Sequence, residues 1–101
     1  MSKLLTEQRL SKLPDLYTTE NQTDPLCHIK LFTPDSSWSW YIIELSKEDK
    51  VTCFGYVIGL ESELGYFNLS EIEEVRGSLG LAVEVDTSFT PTLFSKIKGG
   101  N

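Results

Sequence analysis

Hydrophobic and aromatic residues fall into three runs between positions 38 and 69, separated by two short polar stretches. The runs read WSWYIIEL, VTCFGYVIG and LGYFNL, and each has the length and the aromatic or β-branched content of a strand. The connections SKEDK and ESE are short and charged, as hairpin connections are. The pattern therefore predicts an antiparallel three-strand meander at the centre of the fold, over about 38–45, 51–59 and 64–69.

Two weaker strand signals flank the meander. Residues 26–33, LCHIKLFT, alternate so that Cys27, Ile29 and Leu31 share one side of a strand. A polar turn at 33–37 joins this strand to the meander. Residues 81–85, LAVEV, also alternate and predict a fifth short strand or an extended edge. The sheet is therefore expected to contain three to five strands.

A short helix is predicted at the start of the chain, over 6–13. Thr6 suits the N-cap, and a leucine stripe gives the helix one apolar side. The stripe consists of Leu5, Leu10 and Leu13. Pro14 then ends or bends the helix, and Leu16 and Tyr17 are expected to add a last apolar anchor.

A second helix is predicted directly after the third meander strand. Ser70 and Glu73 match a capping box, with Ser70 as N-cap and a helix over about 71–76. Gly77 can take the left-handed position that often follows a helix. A last helical turn is predicted at TLFSKI, from Thr92, and the tail 98–101 is expected to be disordered.

These elements predict an α+β domain over residues 1–101, in which an antiparallel meander packs on one layer of short helices. In the first meander strand, strict alternation places Trp38, Trp40 and Ile42 on one face, with Glu44 as a possible fourth member. Gly55 lies between two aromatic residues of the second strand. It therefore predicts a bulge or the close approach of another group, such as an indole ring.

The aromatic residues of the first meander strand allow two interpretations. Trp38 and Trp40 make a broad apolar platform, which belongs in the core or under a helix. The alternative is an exposed aromatic surface, formed by Trp38, Trp40 and Tyr41, that binds a partner. Sequence alone leaves both interpretations open.

Charge adds a second candidate surface. The net charge is −6, and residues 61–86 contain seven acidic side chains against Arg76 alone. The acidic set, a candidate partner-binding surface, consists of Glu61, Glu63, Glu71, Glu73, Glu74, Glu84 and Asp86. An acidic domain repels phosphate backbones, so direct nucleic-acid binding is disfavoured. Plain solubility is the simpler explanation of the same charges.

Candidate chemistry is sparse. The sequence contains no phosphate-binding glycine loop, nucleophile elbow or zinc-protease motif, so no catalytic residue, metal site or cofactor is predicted. His28 is the single histidine, and Cys27 and Cys53 lack metal-binding spacing, which favours buried reduced thiols. Neither a secretion signal nor a membrane span is predicted, and we expect a cytoplasmic protein that is a monomer or a weak homodimer.

Several motifs together resemble a known family. They include Lys12-Leu13-Pro14, Phe32-Thr33-Pro34-Asp35 with Trp38 and Trp40, Phe54-Gly55, Glu63-Leu64-Gly65-Tyr66-Phe67 and Arg76-Gly77. On these residues the chain resembles the bacterial family catalogued as domain of unknown function 2958, over Leu4 to about Ile97. Members resemble accessory proteins of plasmids, conjugative elements and phages. The resemblance implies no catalytic residues.

Two functional hypotheses follow. The first is a non-enzymatic protein of a mobile element that binds a host or element-encoded protein. In one version it inhibits a host defence nuclease, and its acidic surface imitates nucleic acid. The second is a small-ligand binder or small enzyme beside the aromatic strand. Its candidate polar residues are His28, Asp35, Tyr41 and Glu44.

Overall fold

The computed structural model describes residues 4–99. This part of the chain forms antiparallel sheets with three short helices, which confirms the predicted α+β class. In chain order the elements are α1 (Glu7–Leu10), β1 (Leu26–Cys27), β2 (Ile29–Phe32), β3 (Ser39–Leu45), β4 (Thr52–Ile58), β5 (Ser62–Asn68), α2 (Leu69–Ile72), β6 (Glu84–Val85), β7 (Thr92–Leu93) and α3 (Phe94–Lys98).

The main sheet has five antiparallel strands in the order β5-β4-β3-β2-β6. Strands β2 to β5 follow one another as a meander, so the predicted three-strand centre is confirmed and extended by one strand on the β2 side. The chain then crosses from the β5 edge to the opposite edge, where β6 pairs with β2. Strands β1 and β7 form a separate two-stranded ribbon.

One face of the main sheet, called here the leucine face, is covered by α1 and α2. The predicted stripe of Leu5, Leu10 and Leu13 is buried against it, which confirms the role of the N-terminal helix. Leu69 and Ile72 of α2 complete the same cluster. Burial of these apolar side chains supplies the main stabilisation that such short helices need, because four residues are not helical alone.

The other face, called here the tyrosine face, is covered by the ribbon and α3. Tyr41, Tyr56 and Ile43 are buried there with Cys27, and Phe94 of α3 packs edge-on to Tyr56 at 5.0 Å between ring centres. The expectation of a single covering layer is therefore wrong, because both sheet faces are covered. The strand β7 in the covering ribbon was missed, since TL within TLFSKI is too short to show alternation.

A bulge in β3 decides where Glu44 lies. Ile42 pairs with Gly55, whereas Glu44 pairs with Phe54, so β3 contributes one extra residue, Ile43, between these pairs. An extra residue exchanges the faces of everything that follows it. Trp40 and Ile42 lie on the leucine face as predicted, but Glu44 lies on the tyrosine face, and its assignment to the tryptophan side is wrong.

The predicted strand 26–33 is divided at His28. Its amide donates to the carbonyl of Ile42 at 2.8 Å, and β1 then leaves the main sheet to pair with β7. The alternation is confirmed, because Cys27, Ile29 and Leu31 are all buried. Cys27, however, belongs to the cluster on the tyrosine face, and the two others belong to the leucine face.

The capping prediction for α2 is wrong by two residues. Asn68 is the N-cap, and its Oδ1 accepts hydrogen bonds from the amides of Ser70 at 2.8 Å and Glu71 at 3.4 Å. Asparagine caps a helix as well as serine does, and Asn68 comes first because it also ends β5. The helix is therefore Leu69–Ile72, with Glu73 as its C-cap.

The terminal helices are shorter or longer than predicted. In α1 the side chain of Thr6 accepts from the amide of Arg9 at 3.2 Å, which confirms the cap, but the helix ends at Leu10. In α3 the helix continues to Lys98, and Gly99 is its C-cap. Lys98 and Gly99, the first two residues of the tail predicted to be disordered, therefore form the end of a helix. Positions 100–101 lie outside the described residues.

The prediction of a bulge or a close approach at Gly55 is confirmed, but the approaching group is the backbone of β3 rather than an indole ring. A Cβ at Gly55 would overlap the carbonyl oxygen of Tyr41, so β3 and β4 approach each other at the bulge only because glycine is there. The indole ring expected at this position lies instead over Gly59, where the ring of Trp38 fills the space of a side chain.

Candidate functional site

The acidic set is divided among three places. Glu61 and Glu63 are exposed at the beginning of β5, which is one edge of the main sheet. Glu84 is exposed on β6, which is the opposite edge. Four strand spacings separate these edges, or roughly 19 Å at about 4.8 Å per strand. The sheet therefore does not bring these two groups together.

The remaining acidic residues lie near α2 or form local contacts. Glu71 and Glu74 are exposed, whereas the carboxylate of Glu73 accepts a hydrogen bond from the amide of Leu4 at 3.3 Å. Asp86 lies 3.9 Å from the ammonium of Lys30 and accepts from the amide and hydroxyl of Ser88. Glu73 and Asp86 thus have structural contacts inside the domain.

The aromatic surface predicted from Trp38, Trp40 and Tyr41 is divided between two faces. Trp40 is buried on the leucine face and Tyr41 on the tyrosine face. Trp38 is 38% exposed and stacks on Trp40 with 5.9 Å between ring centres. The core interpretation therefore holds for Trp40 and Tyr41, and Trp38 alone has a large exposed surface.

Strand β5 is a long edge strand. It has seven residues and pairs with β4 without a register shift, whereas the opposite edge strand, β6, has two residues. Within residues 4–99, the residues of β5 make no backbone hydrogen bond to any segment other than β4. Leu64 and Tyr66 are exposed on it, at 44% and 58% of their surface. Such an edge can accept a further strand.

Alternation along the ladder shows which backbone groups of β5 point outward. Hydrogen bonds at both ends of the β4–β5 pair join the amide of Gly59 to the carbonyl of Glu61 and the amide of Leu69 to the carbonyl of Val51. Antiparallel ladders alternate between bonded and non-bonded residue pairs. The odd-numbered residues of β5 therefore bond to β4, and the amides and carbonyls of Leu64 and Tyr66 point away from the sheet.

A cavity of about 230 Å³ lies on the tyrosine face beside β5. We call it the Glu44 pocket. Its walls include Tyr17, Glu20, Glu44, Phe54, Tyr66 and Phe94. Tyr66 packs against both aromatic neighbours, with ring centres 5.1 Å from Phe54 and 6.3 Å from Tyr17. The residues come from β3, β4, β5, α3 and the loop before β1.

Glu44 is 2% exposed, and its carboxylate holds the loop that walls the pocket. It accepts hydrogen bonds from the amides of Tyr17 and Thr19, both at 2.8 Å, and from the hydroxyl of Thr19. Tyr17 has a φ of 71°, a left-handed conformation that costs a non-glycine residue about 1–2 kcal/mol. The bond from its amide to Glu44 helps to offset this cost.

Asp15 fixes the same loop from its other end. Its Oδ1 accepts from the amides of Leu16 at 2.8 Å and Lys47 at 2.9 Å. These backbone hydrogen bonds lower the pKa of Asp15 below its usual value. Tyr17 is thereby held outside the core, 60% exposed, and its predicted role as an apolar anchor is wrong.

The electrostatic character of the Glu44 pocket is negative. Partial desolvation, followed by the proximity of Tyr17 and Glu44, raises the pKa of the Tyr66 hydroxyl, and Glu20 acts in the same direction. Among the residues that form its walls, none is basic. Sequence reasoning named Glu44 as a candidate but missed the pocket, because the bulge that turns Glu44 toward Tyr66 has no clear pattern.

The remaining candidate groups give no catalytic arrangement. Burial lowers the pKa of His28, which lines a separate cavity of about 180 Å³ together with Arg9 and Lys12. Cys27 and Cys53 are free thiols in different clusters, and burial raises the pKa of each to about 12. Within residues 4–99, no group of three His, Cys, Asp or Glu side chains could hold a metal ion.

The family is established by comparison. The chain belongs to the family described as "Protein of unknown function (DUF2958)", whose model matches residues 3–96 and so nearly the whole sequence. The predicted resemblance is thereby confirmed. No curated protein and no solved structure matches the chain. In the described part, no helix is long and apolar enough to cross a membrane.

Proposed function

We propose that this chain is a non-enzymatic protein of the cytoplasm that binds a partner protein by adding the partner's extended segment to the outer edge of β5. The observation that carries the proposal is this edge itself, a regular seven-residue strand that is unpaired on one side within residues 4–99. Natural sheets usually protect such edges with charged side chains, proline, bulges or very short strands. Glu63 is the single charged residue of β5, and the strand has no proline and no bulge.

The chemistry of the edge favours a basic partner. Glu61 and Glu63 are exposed at the beginning of β5, and the net charge of the chain is −6. A second copy of the same chain would bring like charges together, whereas a basic segment would be attracted. The exposed side chains of Leu64 and Tyr66 would provide apolar contacts for alternate residues of the added strand.

Two peptides of eight residues test the proposal by titration calorimetry. One alternates lysine and valine, and the other alternates glutamate and valine. The lysine peptide is expected to bind and the glutamate peptide is not, because main-chain pairing is common to both and charge differs. Equal binding of both peptides, or binding of neither, would contradict the proposal. A salt-independent homodimer in sedimentation that uses this edge would also contradict it.

Two substitutions at one position separate backbone from side chain. Leu64→Pro removes an outward-pointing amide without removing a ladder bond to β4, and proline is tolerated at such edge positions. Leu64→Thr removes the leucine side chain but retains the amide. The proposal predicts that Leu64→Pro weakens binding of the lysine peptide at least about tenfold more than Leu64→Thr does. Equal effects of the two substitutions would count against strand addition.

A narrower form of the proposal is that the protein, carried by a mobile genetic element, inhibits a host defence nuclease by imitating nucleic acid. It is motivated by the acidic set rather than by the edge. Binding to a purified nuclease would then weaken steeply between low and high salt, because charge pairing dominates such contacts. Binding that ignores salt would count against imitation while leaving strand addition in place.

A further inference from the structure

We propose that the Glu44 pocket binds an organic cation, an alkylated or quaternary ammonium group. The site lies on the tyrosine face of the sheet, so it is separate from the outward-pointing backbone of β5. The ligand class is shared by free molecules such as choline and by the side chain of trimethyllysine. The inference rests on three features of the pocket: its aromatic walls, its buried carboxylate and its size.

The aromatic walls provide the first argument. Tyr17, Phe54 and Tyr66 contact one another in a row, with Tyr66 in the middle and its neighbours tilted by 57° and 55°. The face of an aromatic ring is electronegative and attracts cations within about 6 Å of its centre. Phe94, at the edge of the pocket, already makes such a cation–ring contact: the ammonium of Lys98 lies 5.8 Å from its ring centre. Three further rings remain for a ligand.

The carboxylate of Glu44 provides the second argument. Both of its oxygens accept hydrogen bonds, which is the pattern of an ionised carboxylate. Its partners are neutral donors of Tyr17 and Thr19, and within residues 4–99 the only salt bridge joins Lys30 to Asp86. A buried carboxylate is usually paired with a cation. The charge of Glu44 is therefore available to attract a cationic ligand that enters the pocket.

Size and the second carboxylate provide the third argument. The cavity of about 230 Å³ is smaller than the roughly 300–1,000 Å³ of sites for drug-sized ligands, so a small head group fits it better. Glu20 is exposed at the wall and adds to the attraction of a cation during entry. An anion would be repelled by both carboxylates.

Choline and 3,3-dimethylbutan-1-ol provide a matched test, because they have nearly the same shape and only choline is charged. Each is titrated into the full chain while the resonances of Tyr17, Phe54 and Tyr66 are followed by NMR. The proposal predicts that choline binds at least about tenfold more tightly than the neutral alcohol. Measurable binding of both molecules with equal affinity would show an apolar cavity without cation recognition, and it would overturn the proposal.

A peptide that contains trimethyllysine distinguishes the source of the cation. If choline shifts the three ring resonances, a free molecule is sufficient; if the peptide alone does so, the source is a protein side chain. Either result supports the ligand class. If neither shifts them, the proposal is wrong. Strand addition is followed separately by the exchange of the Leu64 and Tyr66 amides, which distinguishes it from occupation of the pocket.

Two variants locate the binding. Tyr66→Leu removes the central ring at a position that is 58% exposed, so the fold is retained and the affinity for the cation is expected to fall at least about fivefold. Glu44→Gln removes the charge, with circular dichroism as a check on folding. Leu79→Ala is the control, because Leu79 is 79% exposed outside the pocket. Unchanged affinity in Tyr66→Leu would overturn the assignment.

Discussion

The carboxylate of Asp35 lies in the space that a side chain at Gly77 would occupy. Its Oδ2 accepts from the amides of Leu79 at 2.6 Å and Leu81 at 3.2 Å, and its main-chain carbonyl accepts from the hydroxyl of Ser78 at 2.9 Å. Two motifs that mark the family in sequence, the turn before β3 and the Arg-Gly step after α2, are therefore in direct contact. Asp35, which lies more than 40 residues earlier in the sequence, thus fixes the turn at 77–81.

Substitution of Gly77 tests this contact. Because a Cβ at this position would overlap the carboxylate of Asp35, Gly77→Ala is expected to lower the free energy of unfolding by about 1–3 kcal/mol. Gly65→Ala is the matched control, since nothing lies within 4 Å of a Cβ there, and its effect should be smaller than about 1 kcal/mol. Urea denaturation measures both variants. Equal losses would contradict the account of Gly77.

The double variant makes the test specific to the pair. If the loss in Gly77→Ala comes from collision with Asp35, the same substitution in an Asp35→Ala background should cost at least about 1 kcal/mol less. A cycle with no coupling between the two positions would mean that Gly77 is required for a different reason, such as backbone freedom.

Glu44 is expected to stabilise the loop that walls the pocket. Glu44→Ala leaves the part-buried amides of Tyr17 and Thr19 without their acceptor, which predicts a loss of about 1–3 kcal/mol in the free energy of unfolding. The exposed Glu48 is the control, and Glu48→Ala should change the free energy by less than about 0.5 kcal/mol. Denaturant melts of the two variants decide between them, and similar values would be inconsistent with this role.

The charged turn between β3 and β4 predicts a dependence of stability on pH. Asp49 accepts from the hydroxyl of Thr52 and from the amides of Thr52 and Val51, and these bonds lower its pKa to about 2. A carboxylate with a lowered pKa stabilises the folded state above its unfolded pKa of about 3.9. This contribution is lost as the pH falls from there through about 2.

Thermal melts of Asp49→Asn check this contribution. The variant is expected to melt at a lower temperature than the natural chain at pH 7, because it lacks the charge that the three bonds favour. The difference should narrow as the pH falls from about 4 through about 2, because Asp49 takes up its proton in the unfolded chain at a higher pH than in the folded chain. A difference that stays constant over this range would show that charge is not the cause.

The two tryptophans should differ in fluorescence. Trp40 is 6% exposed and Trp38 is 38% exposed. In Trp38→Phe the remaining emission, from Trp40, is expected at short wavelength and resistant to iodide, whereas Trp40→Phe should leave emission that iodide quenches. If iodide quenches both variants equally, Trp40 is exposed to solvent, which would contradict its burial in the structure.

Sequence patterns predicted the parts of the fold that depend on repeated local signals. The alternation in LCHIKLFT placed Cys27, Ile29 and Leu31 in the interior, and the leucine stripe placed α1 on the sheet. These predictions succeed because side-chain directions repeat with a period of about 2 residues in a strand and about 3.6 in a helix, so buried residues recur at the same spacing. The cap of α2 shows the limit of local signals, since Asn68 and Ser70 are both good caps and only the end of β5 selects the first.

The candidate sites were harder to predict because they depend on contacts between distant segments. A single extra residue, Ile43, moves Glu44 to the face of Tyr66, and the sequence YIIEL gives no signal beyond a charged residue in an apolar run. The open edge of β5 likewise depends on where the chain goes after α2. Since β6 pairs with β2, β5 remains at the edge.

Amide hydrogen exchange at β5 tests the central claim, that this strand has an open edge able to accept another strand. In the free protein the amides of Leu64 and Tyr66 should exchange at least about tenfold faster than those of Gly65 and Phe67, which bond to β4. Addition of the lysine–valine peptide should slow Leu64 and Tyr66 selectively. Slow exchange at all four amides in the free monomer, or no change with the peptide, would contradict the account.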